Sequence, residues 1–212
     1  MLSRALRSLL GREAENLRGL YTDPPCSAAS EYPDVPAPEA PLSPIILAAR
    51  WASHSLYGED MPGIALDLLE AEFDTPALRR LAGETQIRNS ADAEPLVGRM
   101  FRELGLPYPL QEQQAKWIVS RQLAREVIAG HRNAWAAASH LEIVVWGWVP
   151  ANSDLETIFS ISDEIDWDVP QRRSLSELNT ALIAAFARIA TMSPEGLDGP
   201  KLPDTDSREQ SV

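Results

Sequence analysis

The chain is 212 residues long, 44% apolar and 24% charged, and its 31 carboxylates against 19 lysines and arginines give a net charge of −12. That balance argues against a nucleic-acid interface, which needs a basic patch or stripe, and it favours a basic partner that the excess acid can attract. A single cysteine, Cys26, excludes an internal disulfide framework and a cysteine-rich zinc site, and no apolar run reaches the ~20 residues of a membrane span.

The first 20 residues carry four arginines against two glutamates, with Leu2, Leu6, Leu9 and Leu10 on one side of a helix. They read as an amphipathic helix over 1–20 that docks on its own body or on a second copy, so a homo-oligomer through this helix is expected. Ser8-Leu9-Leu10 is too short an apolar core for a secretory signal, and Glu13 and Glu15 speak against an organellar transit peptide. Residues 21–43 contain six prolines and few aliphatic side chains, which predicts an extended, polyproline-prone linker.

From residue 44 the periodicity is helical. Ser43-Pro44 opens a helix expected over Ile45–Tyr57 and ended by Gly58, with Ile46, Ala49, Trp51 and Leu56 inward. Met61–Gly83 is the most strongly patterned stretch and reads as two short helices meeting at Thr75-Pro76. Prolines sit in both first turns, Asp74 or Thr75 serves as a cap and Gly83 as a close. Ser90 or Asp92 starts the next helix, closed by Gly105, and Leu106-Pro107-Tyr108-Pro109 is a rigid turn. A long helix over Gln111–Ala129 stops at Gly130, and Asn133 caps another running from Ala134 to about Trp148. Val144-Val145-Trp146 has strand propensity but no partner strand elsewhere, so helix is preferred there. Ser153 or Asp154 begins a further helix, and Ser174-Leu175-Ser176-Glu177 fits a capping box ahead of the Leu178, Leu182, Ile183, Phe186 and Ile189 stripe. Residues 193–212 turn to glycine, proline and charge and read as a disordered tail. The expected architecture is therefore all-α: one multi-helix, bundle-like domain over 44–192, with a separate N-terminal helix on a proline-rich linker.

Chemistry is sparse. His54, His131 and His140 show no metal-binding spacing, and phosphate-loop, dinucleotide and nucleophile-elbow motifs are absent. No catalytic residue, metal or cofactor is implied. Two carboxylate groups stand out. Glu70 and Asp74 flank the corner of Met61–Gly83, where a buried clamp with Arg79 would be structural. Asp163, Glu164, Asp166 and Asp168 surround Trp167, and acids around an aromatic form the candidate protein-binding surface. Arg172 and Arg173 follow closely and can neutralise part of that acidity.

Residues 62–83, with the pattern P-x-x-A-x-x-L-L-E … T-P-x-L-R-x-L-A-G, resemble a block found in a family of small all-helical bacterial proteins of unknown function. The resemblance implies a helical fold and a cytoplasmic, bacterial setting, and no substrate. The function expected is a non-enzymatic acidic interaction module, immunity- or adaptor-like, that binds a basic protein. The alternatives are a helical metal-binding protein or enzyme using Glu70 and Asp74 with a histidine, and a structural, oligomerising role.

Overall fold

The computed structural model describes residues 27–145, 152–166 and 173–192. The helix expected over 1–20, the tail over 193–212, Cys26 and the Trp167 loop lie outside the described residues. Among the described residues the fold is all-α, as the periodicity predicts. The α-helices are α1 (Pro44–Ala52), α2 (Met61–Glu70), α3 (Pro76–Ala82), α4 (Ser90–Glu103), α5 (Glu112–Ile128), α6 (Ala134–Val145), α7 (Ser153–Asp166) and α8 (Leu175–Thr191), with a 3-10 helix at Gly58–Asp60. Val144 and Val145 are helical, so tertiary context overrides their β-propensity.

The described chain forms two compact units. One contains Glu39–Gln122 together with Val144, Val145, Asn152 and Met192; the other contains 27–38, Leu123–Ile143 and the described part of Ser153–Thr191. In the second of these, α7 lies against α8, and Leu155, Ile158, Ile161, Leu178, Leu182 and Phe186 are buried. Two ion pairs fasten the helices: Arg188 Nε to Asp154 Oδ1 at 2.6 Å, and Arg173 Nη2 to Glu164 Oε2 at 2.5 Å. The capping box is present, with Ser174 N–H donating to Glu177 Oε2 at 2.7 Å and Glu177 N–H to Ser174 Oγ at 3.2 Å. Ala28, in the proline-rich segment, is buried, and its N–H donates to Ile128 O at 2.9 Å.

In the unit containing Glu39–Gln122, α2 packs on α3 and α3 on α4, with Leu68, Leu78, Leu81, Met100 and Phe101 fully buried. The helix α1 is shorter than the sequence predicts. It ends at Ala52 because His54 takes a left-handed conformation (φ 58°) and Ser55 N–H closes the turn on Arg50 O at 2.8 Å. Gly58 is not its terminator. It opens the 3-10 helix, where a Cβ would stand 2.2 Å from the Asn89 carbonyl oxygen, so only glycine allows this approach to the start of α4.

The Thr75-Pro76 corner is built as the pattern predicts, with one addition. Pro76 leads α3, and Thr75 Oγ1 accepts from Leu78 N–H at 3.2 Å. The remaining first-turn donor, Ala77 N–H, is met from α4 by Glu103 Oε2 at 2.8 Å, and Arg99 Nε holds Glu103 Oε1 at 2.7 Å. Asn89, rather than Ser90 or Asp92, caps α4, accepting from Asp92 N–H at 3.0 Å. Gly83 follows α3 as expected, but with φ −88° it makes no use of glycine's freedom.

Two outcomes follow from this geometry. Gly58→Ala should cost about 1–3 kcal/mol in chemical denaturation, because a backbone oxygen cannot rotate away from the new methyl. Hydrogen bonding from Ala77 N–H, then from Arg99, holds the Glu103 carboxyl below its ordinary pKa. The stability this contributes is present at neutral pH and lost as acid protonates the folded-state carboxylate. Glu103→Gln should therefore be less stable than wild type at pH 7, and the gap should shrink on acidification below about pH 4. A gap independent of pH would remove the charge from this account.

Candidate functional site

Trp51 lies at the end of α1 and is only 6% exposed, so its indole N–H needs a partner within the protein. It donates to Glu94 Oε2 at 2.9 Å and lies 3.1 Å from Tyr108 Oη. The Tyr108 hydroxyl in turn donates to Glu94 Oε1. Three separate stretches thus meet on one carboxylate: α1, α4 and the turn after α4. Tyr108 is fixed independently of these hydrogen bonds. Its ring stacks on Phe101 at 5.7 Å between centroids, the Arg102 guanidinium carbon stands 5.8 Å from its ring centroid, and it lies against Gly98, where a Cβ would come within 2.7 Å.

Beside this network opens a cleft of about 340 Å³. Leu56 and Leu110, both nearly buried, supply apolar lining, and His54 and Glu112 also border it. Glu112 pairs with Lys116 Nζ at 2.8 Å, and this hydrogen bond, with a smaller contribution from His54, lowers the Glu112 pKa. Glu94 differs. It has no ion-pair partner among the described residues, and its two oxygens are held by the neutral donors of Trp51 and Tyr108. The cleft therefore offers one oriented, exposed and uncompensated negative charge beside an apolar lining. Burial, and then the adjacent Glu94 carboxylate, push the Tyr108 phenol well above its ordinary pKa, so at neutral pH it acts as a hydrogen-bond donor and not as a base. The arrangement suits an amphipathic cation.

The residues singled out in the sequence fall elsewhere. Asp74 and Arg79 do form a two-point clamp, at 2.7 and 2.5 Å, but it is exposed (52% and 68%) where a buried clamp was expected. Glu70 is exposed and has no ion-pair partner among the described residues, so of the two carboxylates it is Asp74 that Arg79 holds. The corner is held instead by Glu103. Of the acidic group around Trp167, Asp163 is exposed and Glu164 is mostly buried against Arg173. The Asp166 side chain, Trp167 and Asp168 lie outside the described residues. Among the described residues no three His, Cys, Asp or Glu side chains gather as a metal site, and Glu70 and Asp74 are not joined by a histidine. Trp51, Glu94 and Tyr108 are missed by sequence reasoning, since they meet across 43 and 57 residues. The signal that was available is a tryptophan on a buried helical stripe, whose N–H must end on an acceptor somewhere.

Comparison with protein-family models, curated proteins and solved structures gives no match. The resemblance at residues 62–83 accordingly adds nothing beyond the helical fold.

The Tyr108 environment is testable. Its folded-state pKa lies above its unfolded value, so the stability it contributes is complete below about pH 10 and declines as pH rises further. Denaturation midpoints should fall more steeply with alkaline pH in wild type than in Tyr108→Phe, and equal slopes would contradict the burial and Glu94 contact assigned here.

Proposed function

We propose that this protein is a non-catalytic, acidic interaction module of adaptor or immunity type that binds a basic protein partner in a bacterial cytoplasm. The observation carrying the proposal is the Glu94 cleft, an anionic recess in which Glu94 has no ion-pair partner among the described residues, on a chain whose net charge is −12. Such a field raises association rates and selects partners of opposite sign. Among the described residues no helix is long and apolar enough to cross a membrane, which is compatible with this setting. Affinity capture with the full chain, followed by salt titration of the purified complex, should recover a basic protein whose association rate falls as ionic strength rises. A partner whose association rate ignores ionic strength would overturn the proposal.

A further inference from the structure

We infer that the Glu94 cleft receives an arginine side chain of the protein partner, with the guanidinium on the Glu94 carboxylate and the aliphatic stem along Leu56 and Leu110. This assigns a recognised group to the module proposed above and rests on that reading.

The carboxylate carries the first argument. An ionised carboxylate has about four acceptor positions, and each Glu94 oxygen uses one, for the Trp51 N–H and the Tyr108 O–H. One position on each oxygen is left, and because the two donors stand 3.1 Å apart on one face of the carboxylate, these point to opposite sides, so an incoming guanidinium makes its charge-assisted contact with one oxygen. The two protein donors also fix the carboxylate's orientation before anything binds, so docking costs less side-chain entropy. Both donors are neutral and leave the charge in place.

The surroundings select the kind of cation. A divalent ion gathers several oxygen ligands, and no such gathering exists among the described residues. Glu112 is already paired with Lys116, which leaves Glu94 as the anchor. The cleft, at about 340 Å³, lies at the small end of ligand sites and suits a single side chain better than a large cofactor. Its apolar lining matches the methylene stem of a long basic residue, which lies on apolar surface while its head stays polar. Arginine is preferred over lysine because its guanidinium is less strongly hydrated and loses less on entering a partly apolar cleft.

The test uses the full-length protein and three capped peptides: Gly-Arg-Gly, the same peptide with citrulline, and the same with lysine. Citrulline keeps the shape of arginine and removes its charge. The readout is the indole N–H resonance of Trp51, assigned by its loss in Trp51→Phe. The arginine peptide should shift this resonance saturably in the millimolar range, the lysine peptide more weakly, and the citrulline peptide not at all. Glu94→Gln, checked for native helix content, should weaken the arginine peptide by about tenfold or more, as expected for loss of a charge-assisted contact. An equal response to citrulline, no response to arginine, or unchanged affinity in Glu94→Gln overturns the inference. The citrulline comparison uses only the wild-type protein and decides the matter even if the variant does not fold. If the arginine peptide fails while the salt-sensitive basic partner is still captured, the arginine assignment falls alone; if capture also fails, the module reading falls with it.

Discussion

The contact from Glu103 to the first turn of α3 sets the frame for the unit that carries the cleft. At seven residues α3 is too short to persist alone, and its opening N–H groups have no partners within the helix. Pro76 lacks an N–H, Thr75 covers Leu78, and Glu103 covers Ala77. A carboxylate at a helix N-terminus also meets the positive end of the backbone dipole. Because Glu103 belongs to α4, meeting this local need also fixes α4 against the corner. Glu94, Gly98 and Phe101, which position the cleft and the Tyr108 ring, lie on that same helix.

The chain is turned at its helix ends by one repeated device. His54, Glu72, Gly105 and Gly130 all adopt positive φ, and in each case the next residue's N–H reaches back five residues to a helical carbonyl. Glycine takes this conformation freely. Histidine and glutamate pay about 1–2 kcal/mol for it. Of the two, His54 borders the cleft.

Much of the fold was legible. Helical spacing, first-turn prolines, the capping box at Ser174–Glu177 and the left-handed glycines at 105 and 130 are local signals, and local physics decides them. Where α1 ends was not legible, because His54 rather than a glycine terminates it and Gly58 is retained for its close approach to Asn89. The cleft was hidden for a different reason. Carboxylates that cluster in sequence draw attention, whereas Glu94 stands apart from them and acquires meaning only from Trp51, 43 residues before it, and Tyr108, 14 residues after it. The Asp74–Arg79 pair shows the converse: residues close in sequence pair readily, and at an exposed surface such pairing carries little energy.

The proline-rich segment illustrates how a side chain can stand in for a strand. Gln122 accepts from Glu39 N–H and donates to Glu39 O, both at 2.9 Å, so its amide pairs with the backbone as a neighbouring strand would. The flanking Pro38 has no N–H to offer, nor has Pro41 two positions on. A slip of one residue toward the N-terminus or of two toward the C-terminus would leave the Gln122 oxygen facing a ring in place of a donor. The prolines therefore narrow the registers open to this segment, because a pairing that needs both an N–H and a carbonyl from one residue cannot form at position 38 or 41.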